Sequence, residues 1–179
     1  NSQIAAVSPG NYGLDFMKET YGYDLDASVK CSNFIGETID MAVECGFEKM
    51  LLTGHIGKLV KVSGGIMNTH SREADCRVEL LVAAGLRAGV SRDNLMKILD
   101  SATTTEAIAY LEEEKKTKPV MDYLMERIIY YMNKRAGGKM KIECILYDNQ
   151  YGELAKSEGA EEFLHELQHE NVNANETTI

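Results

Sequence analysis

The sequence predicts an α/β fold: an open parallel sheet of four strands in the order 2-1-3-4, with helices on both faces and a helical insertion between strands three and four. Three observations carry this. Short apolar runs alternate with helix-period segments early in the chain, each run closes on glycine and small polar residues, and the middle is helical until one last apolar run. A β-α-β-α-β unit builds a parallel sheet with right-handed crossovers. In the doubly wound order the direction of winding reverses after strand two.

Ile4-Ala5-Ala6-Val7 is the first strand, stopped by Ser8-Pro9-Gly10. Leu14, Met17 and Tyr21 follow at helical spacing up to Gly22, a suitable residue to end a helix. Val29 to Ser32 is a second short strand. Asn33 is placed to cap a helix with Ile35, Ile39, Ala42 and Val43 on one side and Gly46 at its end. Met50-Leu51-Leu52-Thr53 is the third strand.

The next helix runs from a Ser71 cap through Val78, Leu81 and Val82 to Gly89. Ser91 caps another, with Leu95, Ile98 and Leu99 inward. Thr103-x-x-Glu106 is a capping box for a third. Pro119 suits the first turn of a long helix striped with Val120, Leu124, Ile128 and Tyr131, which Gly137-Gly138 ends. Lys141 to Tyr147 is the fourth strand. Glu161 to His169 is a last short helix, and Asn171 to Ile179 reads as a frayed tail.

The chain has 179 residues, 44% of them apolar and 26% charged, which are ordinary globular values. That length suits one domain with a small appendage. The division drawn is a Rossmann-like α/β domain over 1–152 and an acidic helical tail over 153–179. The net charge is −9, and the tail alone contributes −6. No basic face suggests nucleic-acid binding. No apolar run approaches the ~18 residues of a membrane helix. No signal peptide opens the chain and no initiating Met is present, so an excised domain is expected. Cys31, Cys45, Cys76 and Cys144 form no C-x-x-C pair; they read as reduced, mostly buried thiols of a cytoplasmic protein.

Ligands of open parallel sheets bind beyond the carboxyl ends of the strands. Three glycine-rich loops fall there: Gly10-Asn11-Tyr12-Gly13, Ser32-Asn33-Phe34-Ile35-Gly36 and Thr53-Gly54-His55-Ile56-Gly57-Lys58. Each runs into a helix N-terminus, where free backbone N–H groups attract anions and carbonyl oxygens. Any one of these loops is most simply a tight turn; three at one edge point to a ligand site. The first is not G-x-G-x-x-G, which disfavours a nucleotide-dependent oxidoreductase. Gly57-Lys58 lacks the Ser or Thr of a P-loop, since Leu59 follows, so ATP hydrolysis is rejected.

A dense polar cluster comes next: Lys58-x-x-Lys61, then Asn68-Thr69-His70-Ser71-Arg72-Glu73-x-Asp75. It carries a net +1 within an acidic chain, which suits a substrate bearing carboxylates. A helix cap and a solvated face explain Ser71 and Glu73, but not Asn68, Thr69 and His70 together. His55, His70 and Asp75 are the candidate catalytic side chains of this edge. The binding candidates are Gly10, Asn11, Tyr12, Gly13, Ser32, Asn33, Thr53, Gly54, His55, Gly57, Lys58, Lys61, Asn68, Thr69, His70, Ser71 and Arg72. His165 and His169 stand four apart but lack a third ligand, so no metal site is expected. No nucleophile elbow is visible, which argues against a covalent hydrolase.

These segments carry a resemblance. Gly54-His55-Ile-Gly57-Lys58-Leu59-Val-Lys61, followed by Gly64-Gly65-Ile-Met-Asn68-Thr69-His70-Ser71-x-x-Ala74-Asp75, resembles the cobalt-precorrin-5B (C1)-methyltransferase family, the D proteins of anaerobic cobalamin biosynthesis. Pro9 to Gly13 and Ser32 to Gly36 match its earlier segments in order, and the resemblance extends to about Tyr147. It implies transfer of a methyl group from S-adenosylmethionine to C1 of a cobalt-bound, ring-contracted tetrapyrrole, giving cobalt-precorrin-6A.

Members of that family are about twice this long and carry an additional amino-terminal α+β domain, so the chain resembles their carboxy-terminal half. Lys58, Lys61 and Arg72 are then the cations for tetrapyrrole acetates and propionates. Displacement at a sulfonium methyl depends mainly on positioning and needs no nucleophilic side chain. The expected partners are the tetrapyrrole and the missing amino-terminal domain, whose absence would leave an apolar face able to drive homodimerisation. The alternative is a non-catalytic corrinoid-binding or dimerisation module of a larger protein.

Overall fold

The computed structural model describes residues 4–10, 12–23 and 28–176. Among them the elements run β1 (Ile4–Ser8), α1 (Tyr12–Tyr21), β2 (Val29–Lys30), α2 (Ile35–Glu44), β3 (Lys49–His55), α3 (Ile56–Val62), α4 (Arg77–Ala88), α5 (Arg92–Leu99), α6 (Thr104–Glu113), α7 (Thr117–Ala136), β4 (Lys141–Asp148), β5 (Gly152–Lys156) and α8 (Ala160–Glu176). Asn11 and residues 177–179 of the expected tail lie outside the described residues.

The sheet order is β2-β1-β3-β4-β5. The first four strands pair in parallel in the expected order, with Ala6 opposite Leu51 and Leu52 opposite Cys144. The sheet is not purely parallel, however, and it has five strands. β5 pairs antiparallel with β4, with a register shift at Leu146/Tyr147. The turn between them is held by the Asp148 carboxylate, whose Oδ1 accepts from the N–H groups of Gln150 (2.8 Å) and Tyr151 (3.3 Å). β5 is missed in the sequence because it is an edge strand: only Leu154 and Ala155 are apolar, and Glu153 and Lys156 flank them.

Side chains alternate across the sheet with period two. Ala5, Val7, Met50, Leu52, Ile142, Cys144 and Leu146 pack with α2 to α7 in the larger core. Ile4, Leu51 and Ile145 face the other way, against Met17 of α1 and Phe163, Leu164 and Leu167 of α8. Burying each Leu, Ile, Met or Phe contributes about 1.5–3 kcal/mol. Helices thus cover both faces, and the polypeptide changes face between α1 and α2, as double winding requires.

Two expected caps hold. Ser91 Oγ accepts from Asn94 N at 3.3 Å, and Thr103 Oγ1 from Glu106 N at 3.1 Å. The return bond of Glu106 goes to Ala102 N rather than to Thr103. Two other caps do not form. α2 is preceded by Phe34, because the Asn33 carboxamide is engaged by Thr69 instead. α4 starts after Cys76, not at Ser71, because residues 69–74 are drawn into a separate loop. α8 runs on to Glu176, past the expected end at His169. The cysteines are free; Cys31 and Cys144 are buried, while Cys76 is half-buried and Cys45 exposed. Cys45 sits just past the end of α2, where the chain turns in solvent.

Candidate functional site

β1, β3 and β4 end side by side at Ser8, His55 and Asp148. The loops that leave them enclose a cleft of about 930 Å³. It is lined by Pro9, Gly10 and Asp15 after β1, by His55, Gly57 and Lys58 after β3, and by Tyr147, Asn149 and Gln150 at the end of β4. The start of α6, Thr103 to Thr105, and Arg77 close the remaining side. Gly13 lets α1 approach this edge closely: a Cβ there would sit 2.2 Å from Ser8 Oγ and 3.3 Å from the Thr53 carbonyl.

His55 caps α3, its Nδ1 accepting from Gly57 N–H at 3.0 Å. A neutral ring with Nδ1 as acceptor carries its proton on Nε2. That nitrogen faces Asp148 Oδ2 at 3.4 Å. Burial holds the His55 pKa below its ordinary value, and the Asp148 charge offsets only part of this. The Asp148 side chain is fully buried and also accepts from Thr105 Oγ1 at 2.8 Å. Tyr147 lies edge-on to His55 at 5.6 Å and stacks on Phe16 at 4.4 Å. Burial and the nearby Asp15 raise its pKa, so it is a neutral phenol at physiological pH.

Lys58 ties two loops together. Its ammonium donates to the carbonyls of Pro9 (3.0 Å) and Ser32 (3.2 Å). Burial lowers its pKa, with Cys31 opposing; the Cys31 thiol is itself pushed up to about 11 by burial. Ser32 takes a left-handed conformation at φ 53°, and its carbonyl is one of those Lys58 holds.

The remaining candidates divide. Asn33, Asn68, His70 and Arg72 line a second, smaller hollow of about 190 Å³, with Phe34 and Glu73. Asn68 pairs with Phe34 in an antiparallel bridge, and Thr69 N–H donates to Asn33 O at 2.9 Å. The polar side chains that the helix cap left unexplained largely serve this loop. Asn68 Oδ1 accepts from His70 N at 3.1 Å, and His70 Nδ1 from Arg72 N at 3.0 Å.

Lys61 is turned inward at 2% exposure and donates to the Thr69 and Ala74 carbonyls. Asp75 forms a two-pronged pair with Arg77, which lowers its pKa. Thr53 is directed to Met17 Sδ at 3.5 Å, Gly54 packs on Leu59, and Ser71 is exposed. The large cleft therefore gathers Gly10, His55, Gly57 and Lys58, whereas His70 belongs to the neighbouring hollow. Asp148, Tyr147, Thr105, Arg77 and Asp15 were not singled out from the sequence. The one available signal was an aspartate directly after the fourth apolar run, Lys141 to Tyr147. Among the described residues, no group of three or more His, Cys, Asp or Glu side chains is placed to hold a metal ion. No helix there is long and apolar enough to cross a membrane.

The fold is an α/β sheet with a cleft of small-molecule size over three strand ends, the usual place for a ligand in such folds. The family model described as CbiD, C-terminal domain, matches residues 68–158, and the chain belongs to that family. It is 44% identical over 154 residues to a cobalt-precorrin-5B C(1)-methyltransferase of Ruminiclostridium cellulolyticum, covering 86% of this chain and 40% of the relative. It is 38% identical over 164 residues to the protein of that name from Alkaliphilus metalliredigens (92% and 43%). It is 38% identical over 149 residues to that of Methanocaldococcus jannaschii (83% and 41%). The chain thus spans about two fifths of the length of these relatives. No solved structure matches it at a significant level.

Proposed function

We propose that this chain is the carboxy-terminal part of a cobalt-precorrin-5B C(1)-methyltransferase, with S-adenosylmethionine as methyl donor and a cobalt-bound tetrapyrrole as acceptor. The observation that carries this reading is the family match combined with the cleft over the ends of β1, β3 and β4. The cleft volume lies within the roughly 300–1,000 Å³ usual for small-molecule sites. Its lining suits S-adenosylmethionine: Thr103 to Thr105 at a helix start, the Asp15 carboxylate as an acceptor, the Tyr147 ring and an open approach at Gly10. The bound donor would supply an electrophilic methyl on a sulfonium.

This chain's own contribution is placement. Lys58 joins the loops after β1 and β2 under the cleft, and His55 fixes the start of α3. A neutral His55 and a neutral Tyr147 add no positive charge of their own beside a cationic donor. With the donor in the cleft, the tetrapyrrole falls to the remainder of the polypeptide and the Asn33–Asn68–His70 hollow, where Arg72 offers a cation for its carboxylates.

Titration of S-adenosylmethionine onto the complete polypeptide, followed by single-turnover transfer to cobalt-precorrin-5B, tests this reading. Saturable binding that Tyr147→Ala weakens, together with C1 methylation, is the expected result. Donor binding unaffected by substitutions in this cleft would remove it from the reaction and leave a corrinoid-binding or dimerisation role.

A further inference from the structure

Asp148 is the buried group whose surroundings are most demanding. Three hydrogen bonds converge on it: Gln150 N–H (2.8 Å) and Tyr151 N–H (3.3 Å) reach Oδ1, and Thr105 Oγ1–H (2.8 Å) reaches Oδ2. His55 Nε2 stands 3.4 Å from the same Oδ2, at ion-pair distance. These groups come from the β4–β5 turn, the first turn of α6 and the β3–α3 junction, all of which line the cleft.

An ionised carboxylate is an acceptor on both oxygens; a carboxamide is not. Asparagine at this position would turn its NH₂ either toward the two backbone N–H groups or toward Nε2–H. The second clash is relieved only if the His55 proton moves to Nδ1. There it would meet Gly57 N–H, which Nδ1 now accepts.

Resting on the methyltransferase reading, we propose that Asp148 is a positioning residue for this site: its carboxylate holds His55 in the Nε2–H tautomer and locks the starts of α3 and α6 and the β4–β5 turn around one cleft. Asp148 does not line the cleft itself. It acts through His55 and Thr105, which do.

Two readouts on Asp148→Asn test this. In the chain labelled with ¹⁵N-histidine, the wild-type His55 ring should show its proton on Nε2, and the variant a mixture or the other tautomer. In the complete polypeptide, kcat for methyl transfer should fall about tenfold or more while KM for S-adenosylmethionine changes less than about threefold. An unchanged tautomer in a folded variant overturns the proposal, as does unchanged kcat. If the wild-type polypeptide transfers no methyl group, the functional reading fails, and the tautomer measurement still decides the role of Asp148.

Should Asp148→Asn fail to fold, His55→Asn takes its place. Asparagine is a good N-cap and keeps the acceptor for Gly57 N–H while removing the donor that faces Asp148. A kcat drop of the same size supports the proposal; wild-type turnover overturns it.

Discussion

The Lys61 ammonium lies 2.8 Å from the carbonyl oxygen of Ala74 and, at 2% exposure, is sealed from water. A second bond, to the Thr69 carbonyl at 3.1 Å, makes this lysine the clamp of the loop that carries Asn68 to Asp75. Lys61→Met keeps the buried stem but orphans both carbonyls. We expect a stability loss of about 1–3 kcal/mol in denaturant unfolding, with amide exchange accelerated over residues 69–75. Wild-type stability would show that the ammonium carries no structural load.

Acid should weaken the domain first at His55. Burial holds its folded pKa below the ordinary 6.5, whereas the unfolded chain takes up the proton near that value. The unfolded state therefore binds more protons in this window, and stability falls as pH drops below about 6.5. Protonation also places a hydrogen on Nδ1, opposite Gly57 N–H, and breaks the α3 cap. Asp75 and Asp40, lowered by Arg77 and Arg135, act further into acid. Melting temperatures between about pH 7.5 and pH 5 should decline, and His55→Asn should flatten that decline. An equal slope in the variant would place the proton uptake elsewhere.

Gly13→Ala should be among the costlier substitutions at the carboxyl edge of the sheet, since Gly13 is buried. Its methyl would lie 2.2 Å from Ser8 Oγ, with the Thr53 carbonyl at 3.3 Å. Overpacking of this kind costs about 1–3 kcal/mol. Ser8→Ala removes the nearest atom, so the double variant should recover part of the loss beyond additivity. A strictly additive pair would mean that α1 shifts away instead.

The chain as given should fold alone and fail to methylate alone. Its two cores pack on both faces of the sheet, but the chain spans only about two fifths of its relatives' length. A cooperative thermal transition is expected, and no turnover with S-adenosylmethionine and cobalt-precorrin-5B. Turnover equal to that of the complete polypeptide would place all the machinery in these residues.

The sequence alone determined the four parallel strands and their order, since apolar runs closed by glycine loops and separated by amphipathic helices admit few other arrangements. It also determined the Ser91 and Thr103 caps, because a cap joins residues three apart. What joins residues distant in sequence was decided only in three dimensions. His55 meets Asp148 because the register of β3 on β4 sets His55 opposite Tyr147, next to the aspartate, and register has no local signature. Lys61 and Lys58 both read as substrate cations, yet Lys61 was drawn inside by buried carbonyls needing a donor. Asn33 lost its capping role because Thr69, from the loop after α3, competes for its oxygen atoms, and Ser71 lost its own because Lys61 holds residues 69–74 apart from α4. β5 emerged only once β4 offered it an open edge, where the pairing of backbone groups outweighs a weak apolar pattern.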